Sequence, residues 1–189
     1  AVQEIGVPTA SRHPATQPEH ELPSSDIGAM RVLTELNHQF HFIDDETDLS
    51  RYRLVIAPDA VRFTPELAGK MKAYLKAGGR LLASYESGLA ADRDAFALRE
   101  MGVTLAGECP FTPSYLRVAP GFARDIGPTD YVMYEPSLLV KSSKGMRRVA
   151  TIGYPYFNRT HDAFCSHFQT PFEKLSTHPA ATLGERVGY

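Results

Sequence analysis

Residues 53–88 read RLVIAPDAVRFTPELAGKMKAYLKAGGRLLASYESG, and this stretch decides the fold. It opens with the apolar run Leu54–Ala57, which is typical of a strand buried on both faces of a parallel sheet. Thr64-Pro65-Glu66 predicts the start of a helix, because the first turn needs an acceptor for its N–H groups and tolerates proline. Gly78-Gly79 predicts the end of that helix, and Leu81–Ala83 predicts a second buried strand. The stretch is therefore a β-α-β unit with two neighbouring parallel strands.

Further elements surround this unit on both sides. Glu4–Val7 and Phe40–Ile43 predict strands, and between them Ser24-Ser25-Asp26 caps a helix that ends near Asn37-His38. Asp92–Met101 predicts a short helix. Later β-type runs are separated by Pro and Gly: Gly102–Leu105, Tyr115–Val118, Tyr131–Tyr134, Ser137–Val140 and Val149–Ile152. The pattern predicts a three-layer α/β/α sandwich with a mainly parallel central sheet and an irregular, partly antiparallel C-terminal extension.

Composition narrows the class of protein. The chain has 189 residues, 43% hydrophobic and 22% charged, which is ordinary for one compact domain over residues 1–189. The net charge of −2 without a dense basic run argues against nucleic-acid binding. No apolar stretch approaches the roughly 18 residues of a membrane span, and no leader is visible, which favours a cytoplasmic location.

Arg186–Tyr189 resembles a strand cut short, so we expect a fragment of a longer polypeptide. Cys109 and Cys165 are too few for a disulfide framework, and a single bridge between them stays open.

Sites in an open parallel sheet form beyond the carboxyl ends of the strands. Three predicted loops meet there: Pro8–Ser25, Pro58–Thr64 and Tyr85–Ala91. The first loop has no G-x-G-x-x-G pattern, which argues against a dinucleotide, and the sequence indicates no other cofactor.

The turn Ser84–Gly88 occupies the place of a nucleophile elbow, which needs a Cys or Ser at its apex and a nearby His. The apex here is Glu86, and Ser87 comes one place late. Tyr85 stands where G-x-S-x-G requires its first glycine. We therefore favour a plain turn in which Gly88 takes positive φ.

The densest polar cluster is Tyr154–His167, which we call the aromatic segment. His161, Cys165 and His167 have a spacing compatible with one metal ion, but a fourth ligand and a paired C-x-x-C are missing. Aromatic residues beside arginine are typical of interface cores, so we expect a contact surface without a metal or catalytic centre. Its candidate residues are Tyr156, Phe157, Asn158, Arg159, His161 and His167. Asn158-Arg159-Thr160 matches a glycosylation sequon by pattern alone.

Two stretches carry a resemblance to known families. Residues 51–89, RYRLVIAPDAVRFTPELAGKMKAYLKAGGRLLASYESGL, resemble the middle, trimerisation domain of family 42-type β-galactosidases over about residues 26–105. That resemblance implies a flavodoxin-like fold similar to class I glutamine amidotransferases. Residues 155–171, PYFNRTHDAFCSHFQTP, are similar to a segment of related bacterial glycoside hydrolases, including fucosidase-like proteins, in which the domain follows a TIM barrel.

The resemblance implies a noncatalytic accessory domain that assembles subunits and shapes the mouth of a barrel active site. Its expected partners are the TIM barrel of the same polypeptide and further copies in a homo-oligomer. The amidotransferase cysteine is absent, and glycosidase acids would lie in the barrel, so no catalytic residue is expected here. Two alternatives stay open: an amidotransferase-like or hydrolase-like enzyme using Glu86, Ser87 or residues 161–167, and a sugar-binding module stacking Tyr154, Tyr156 and Phe157 on a pyranose.

Overall fold

The computed structural model describes residues 4–9, 23–127 and 129–189. These residues form two compact units, unit 1 (Ala1–Met101 with Arg186–Tyr189) and unit 2 (Gly102–Glu185). The α-helices and strands in chain order are β1 (Ile5–Pro8), α1 (Ser24–Glu35), β2 (Phe40–Ile43), β3 (Leu54–Ala57), α2 (Pro65–Lys76), β4 (Arg80–Ala83), β5 (Val103–Glu108), β6 (Ser114–Val118), β7 (Asp130–Met133), β8 (Leu138–Ser142), β9 (Arg147–Pro155), β10 (Phe172–Leu183) and β11 (Val187–Gly188). Most of the predicted loop Pro8–Ser25 lies outside the described residues; its first residue ends β1 and its last two residues open α1.

Unit 1 contains a parallel sheet with the strand order β2-β1-β3-β4-β11. β3 and β4 are parallel neighbours, with Val55 opposite Leu81 and Ala57 opposite Ala83. The predicted β-α-β unit is therefore confirmed. β11 adds a further parallel strand, in which Val187 lies opposite Leu81.

One helix packs against each face of this sheet. On the first face, Leu33 of α1 forms a core cluster with Ile5 and Val7. On the opposite face, Met71 of α2 lines a cavity together with Val55. Successive side chains of a strand point to opposite faces, which is why a short strand can supply both cores.

Helix α2 begins and ends as its sequence predicts. The Thr64 hydroxyl accepts the N–H of Leu67 at 3.2 Å, and Gly78 follows the helix with φ +108°. The Tyr74 hydroxyl donates to the Arg80 carbonyl at 3.1 Å and accepts the Arg80 N–H at 3.2 Å. This hydroxyl ties the end of α2 to the start of β4.

Unit 2 consists of antiparallel strands. Its larger set has the order β10-β9-β6-β7, and β5 pairs separately with β8. Arg117 on β6 donates to both carboxylate oxygens of Asp130 on β7, at 2.7 and 2.8 Å. Strand β10 is irregular, with register shifts on both sides of Pro179.

The predicted three-layer α/β/α sandwich is wrong, and with it the flavodoxin-like and amidotransferase-like fold class. The described residues hold eleven strands and two α-helices, and parallel pairing is confined to unit 1. The predicted helix Asp92–Met101 is a series of turns followed by the 3₁₀ turn Arg99–Met101, because its backbone pairs elsewhere. The Ala97 N–H donates to the Gly88 carbonyl at 2.9 Å, and Phe96 bridges Leu89. From Val103 onward, every regular element among the described residues is a β-strand.

No helix within the described ranges is long and apolar enough to cross a membrane.

Candidate functional site

The turn after β4 is held against the loop that follows β3. The Ser84 hydroxyl donates to the Asp59 carboxylate at 2.6 Å and accepts the Asp59 N–H at 3.0 Å. The Glu86 N–H donates to the Asp59 carbonyl at 2.9 Å, and the Gly88 N–H donates to the Val61 carbonyl at 3.0 Å. These bonds satisfy backbone groups of both turns at once.

Glu86 lies inside this turn as the partner of two arginines. Its carboxylate pairs with Arg62 through one oxygen and with Arg93 through the other. The Arg62 side chain is 18% exposed and the Arg93 side chain 49% exposed, so the Arg62 pair is the more desolvated one. A carboxylate with both oxygens bound to guanidinium groups acts as a structural counter-ion.

Ser87 is also used within the fold. It is fully buried, and its hydroxyl accepts the Val61 N–H at 2.9 Å. Gly88 has φ +89°, which confirms the predicted positive φ, and an added Cβ there would meet the Met101 methyl at 2.9 Å.

The sequence interpretation missed the backbone of Tyr85, which has φ +50°. Its carbonyl accepts the Tyr189 hydroxyl. Burial raises the pKa of Tyr189, with the nearby Asp59 and Glu86 acting in the same direction, so this hydroxyl remains a proton donor. Tyr85 therefore lies in this turn in a left-handed conformation, and its carbonyl is bound by the Tyr189 hydroxyl.

A cavity of about 300 Å³ lies beyond the carboxyl ends of β1, β2 and β3. Parts of two predicted loops line it, Pro8–Thr9 and Ala60–Thr64. Most of the lining is apolar, and the remaining residues are Thr9, Asp44, Asp45, Arg62 and Thr64. The Asp44 carboxylate accepts the N–H and hydroxyl of Thr47 at 2.9 and 2.7 Å, and Arg62 pairs with Glu86. These two polar groups of the cavity are therefore engaged in the protein's own turns.

The aromatic segment of unit 2 exposes large rings. Tyr156 and Phe164 are both exposed, Phe164 at 69%, and the adjoining Phe168 is exposed as well. The Tyr134 and Phe168 rings lie 5.9 Å apart, centroid to centroid, with a tilt of 38°. An exposed group of aromatic side chains on a soluble domain commonly marks a contact site.

Hydrogen bonds fix the backbone of the segment beneath these rings. The Asn158 side chain accepts the Thr112 N–H at 3.1 Å and donates to the Pro110 carbonyl at 2.6 Å. The Thr170 hydroxyl donates to the Phe157 carbonyl at 2.6 Å. Asn158 thus has a definite structural role, and the Phe157 backbone is anchored by the same network.

His161, Cys165 and His167 are the residues whose spacing is compatible with one metal ion. His161 and His167 are exposed, while the half-buried Cys165 thiol donates to the carbonyls of His167 and Gln169 at 3.4 and 3.6 Å. The Arg159 guanidinium donates to the His167 carbonyl at 3.4 Å. Within the residues that the structure describes, no group of three His, Cys, Asp or Glu side chains is placed to hold a metal. Cys109 and Cys165 are free thiols.

Comparison with known proteins places part of the chain in a family model. Residues 30–107 match the model described as the β-galactosidase trimerisation domain. β-Galactosidase LacZ of Heyndrickxia coagulans is 36% identical over 64 residues. These matches support the resemblance of residues 30–107 to the middle domain of family 42-type β-galactosidases. The amidotransferase-like part of that resemblance is not confirmed.

Several solved structures match nearly the whole chain. α-L-Fucosidase isoenzyme 2 from Paenibacillus thiaminolyticus is 30% identical with a TM-score of 0.89 over 98% of this chain. The β-galactosidase from Rahnella sp. R3 is 20% identical with a TM-score of 0.70 over 98% of this chain, a likeness of fold. The chain spans 28% of each of these two structures and 10% of LacZ.

Proposed function

We propose that residues 1–189 are an accessory segment of a longer glycoside hydrolase, β-galactosidase-like or fucosidase-like, and that this segment assembles subunits without catalysing the reaction. The observation that carries the proposal is the match of residues 30–107 to a β-galactosidase trimerisation domain. Its partners are a TIM barrel of the same polypeptide and further copies of the same chain.

The environment of Glu86 supports a noncatalytic role. Glycoside cleavage uses two carboxyl groups about 5 to 10 Å apart across the scissile bond, one of which must exchange a proton. Both oxygens of Glu86 are bound to arginine, and the Asp44 carboxylate caps a turn. We expect the chain alone to leave aryl glycosides uncleaved.

The exposed aromatic segment is the second part of the proposal. Rigid aromatic side chains bury a large area at low entropic cost, which is why they dominate interface cores. The Tyr156 N–H donates to the Pro171 carbonyl at 3.1 Å, and the Thr160 N–H donates to the Ala163 carbonyl at 2.8 Å beside Phe164. These bonds reduce the ordering of the backbone that is needed on binding. We assign to this segment a contact with another domain of the polypeptide or with a neighbouring subunit.

The test uses the full-length polypeptide. Phe164→Ser removes an exposed ring from the segment, and Phe122→Ser removes a less exposed ring elsewhere in unit 2 as the control. Sedimentation velocity and thermal unfolding follow assembly and interdomain contact. Weakened assembly or earlier unfolding in Phe164→Ser alone supports the proposal. Identical behaviour of both variants and the wild type, or zinc bound stoichiometrically and lost in His161→Ala, contradicts the role of the segment.

A sugar-binding function is the second candidate, favoured by the exposed, tilted Tyr134–Phe168 pair. Rings of this kind stack on the apolar face of a pyranose. Titration with galactose and fucose, followed by tyrosine fluorescence, distinguishes the two functions. Saturable binding that Phe168→Ser removes, without any change in assembly, would replace the contact role by this one.

A further inference from the structure

One row of side chains crosses the α1 face of unit 1 from strand to strand. The register places Phe42 opposite Val7 and Leu82 opposite Ile56. Gly6 lies opposite Val55, so Val7 is level with Ile56. Because parallel neighbours at the same level point to the same side, all four side chains lie on one face.

Helix α1 covers only the centre of this row. Val7 is fully buried against the α1 cluster and Ile56 is partly buried, whereas Phe42 is 40% exposed and Leu82 is 45% exposed. A helix is about 10 Å wide and strands are about 4.8 Å apart, so one helix covers roughly two strands. A sheet of five strands therefore leaves a flank uncovered on each side of α1.

The sequence of β4 is that of a strand covered on both faces. Leu81, Leu82 and Ala83 are consecutive apolar residues, a pattern that belongs to sheets with cover on each side. Leu81 and Ala83 are buried, as the pattern predicts, and Leu82 is not. Within the part of the chain that the structure describes, the Leu82 side of β4 lacks the cover for which its sequence is suited.

We propose that this open flank, centred on Leu82 and bordered by the exposed Arg80, is the surface on which a second copy of the chain docks. The proposal rests on the assembly function proposed above and names its surface. Leu82 and the neighbouring Arg80 lie within residues 30–107, the range that matches a trimerisation domain, whereas the aromatic segment lies outside it. An apolar centre with a charged border has the composition of a subunit interface.

The test compares two exposed leucines in the full-length polypeptide. Leu82→Glu places a charge at the centre of the proposed surface. Leu183→Glu, at a strand position that is 41% exposed and outside the matched range, is the control. Sedimentation velocity over a dilution series measures the dissociation constant. We expect Leu82→Glu to raise it by about tenfold or more, as for a central interface residue, and Leu183→Glu to leave it unchanged.

The outcomes distinguish failure of the proposed surface from failure of the assembly function. An associating wild type whose dissociation constant is unchanged by Leu82→Glu overturns the proposed surface and leaves the assembly function standing. A wild type that is monomeric at every concentration overturns both. An unchanged mass with a lowered unfolding temperature in Leu82→Glu shows that another domain of the same polypeptide covers the flank, which also overturns the second-copy assignment.

A photo-cross-linking measurement avoids dependence on the charged variant's folding. Benzoyl-phenylalanine placed at position 82 is expected to give covalent species of two chains, and the same group placed at position 183 is expected to give none. Cross-links from position 82 that form only within one chain would indicate that another domain of the same polypeptide covers the flank. That result would contradict the proposal.

Discussion

Replacing Glu86 by glutamine tests the structural role assigned to the turn after β4. The substitution keeps the shape of the side chain and removes the charge that Arg62 and Arg93 share. Removing one partner of a buried ion pair costs about 3 to 5 kcal/mol, because the other charge is left without compensation. The Arg93 side chain is half exposed, so its pair contributes at most about 1 kcal/mol. We therefore expect a loss of about 3 kcal/mol, almost all of it through Arg62.

The assay is urea unfolding followed by circular dichroism, with the slope of the transition compared between variants. Glu100→Gln is the matched control. The Glu100 Oε1 atom lies 3.7 Å from the Lys72 Nζ atom in an exposed pair, so this substitution should change the free energy of unfolding by no more than about 0.5 kcal/mol. A double-mutant cycle between Glu86→Gln and Arg62→Gln isolates their interaction, and Arg93→Gln alone should cost about 1 kcal/mol or less. A loss below about 1 kcal/mol for Glu86→Gln, or a coupling near zero, would refute the counter-ion role.

Three further predictions concern the Thr64 cap, the packing of Gly79 and the reactivity of Cys109. Thr64→Ala removes the acceptor for a first-turn N–H of α2 and should cost about 1 kcal/mol in the same urea assay, with Thr64→Ser restoring most of it. Gly79→Ala places a Cβ 2.2 Å from the Tyr74 ring and should cost about 1 to 3 kcal/mol, so an unchanged midpoint would contradict the packing described for that ring. Burial raises the pKa of Cys109, so at pH 8 in a Cys165→Ser background its thiol should react with a disulfide reagent more slowly than free cysteine, and unfolding in urea should remove the difference.

Local patterns in the sequence sufficed for the part of the fold between β3 and β4. The apolar run at Leu54, the cap at Thr64 and the glycine at Gly78 are short-range signals, and each acts where it was expected. Helix propensity failed at Asp92–Met101, where backbone pairing of Ala97 with Gly88 competes with the helix. That competition depends on a turn nine residues away, which a window of sequence does not reveal.

The long strand β10 was missed for a related reason. Pro179 interrupts its pattern, and a proline inside an apparent strand argues against a strand. The structure accommodates Pro179 with register shifts on both sides, so the strand continues through an irregularity. Only the pairing partner, β9, makes this possible, and the partner is not visible in the local sequence.

The sequence predicted which stretches contain the candidate site residues, but it did not predict which residues contact one another. The sequence located the turn at Glu86 and the aromatic segment, because unusual residues cluster there. It did not reveal that Arg62 and Arg93 come from different loops to the same carboxylate, or that Asn158 is engaged with Pro110 and Thr112. A cluster of residues along the chain is visible in the sequence itself. Contacts between distant parts of the chain become visible only when the fold is known.

The position of β11 constrains the order in which the protein can fold during synthesis. Unit 1 is interrupted in sequence by the whole of unit 2, and its last strand places Val187 beside Leu81, about 100 residues earlier. A ribosome making this chain therefore exposes β4 with one edge unfilled until unit 2 has been synthesised. Strand edges left open in this way can pair with other chains. Slowing translation between residues 102 and 185 should accordingly increase misassembly of nascent chains, although it alters no contact of the finished protein.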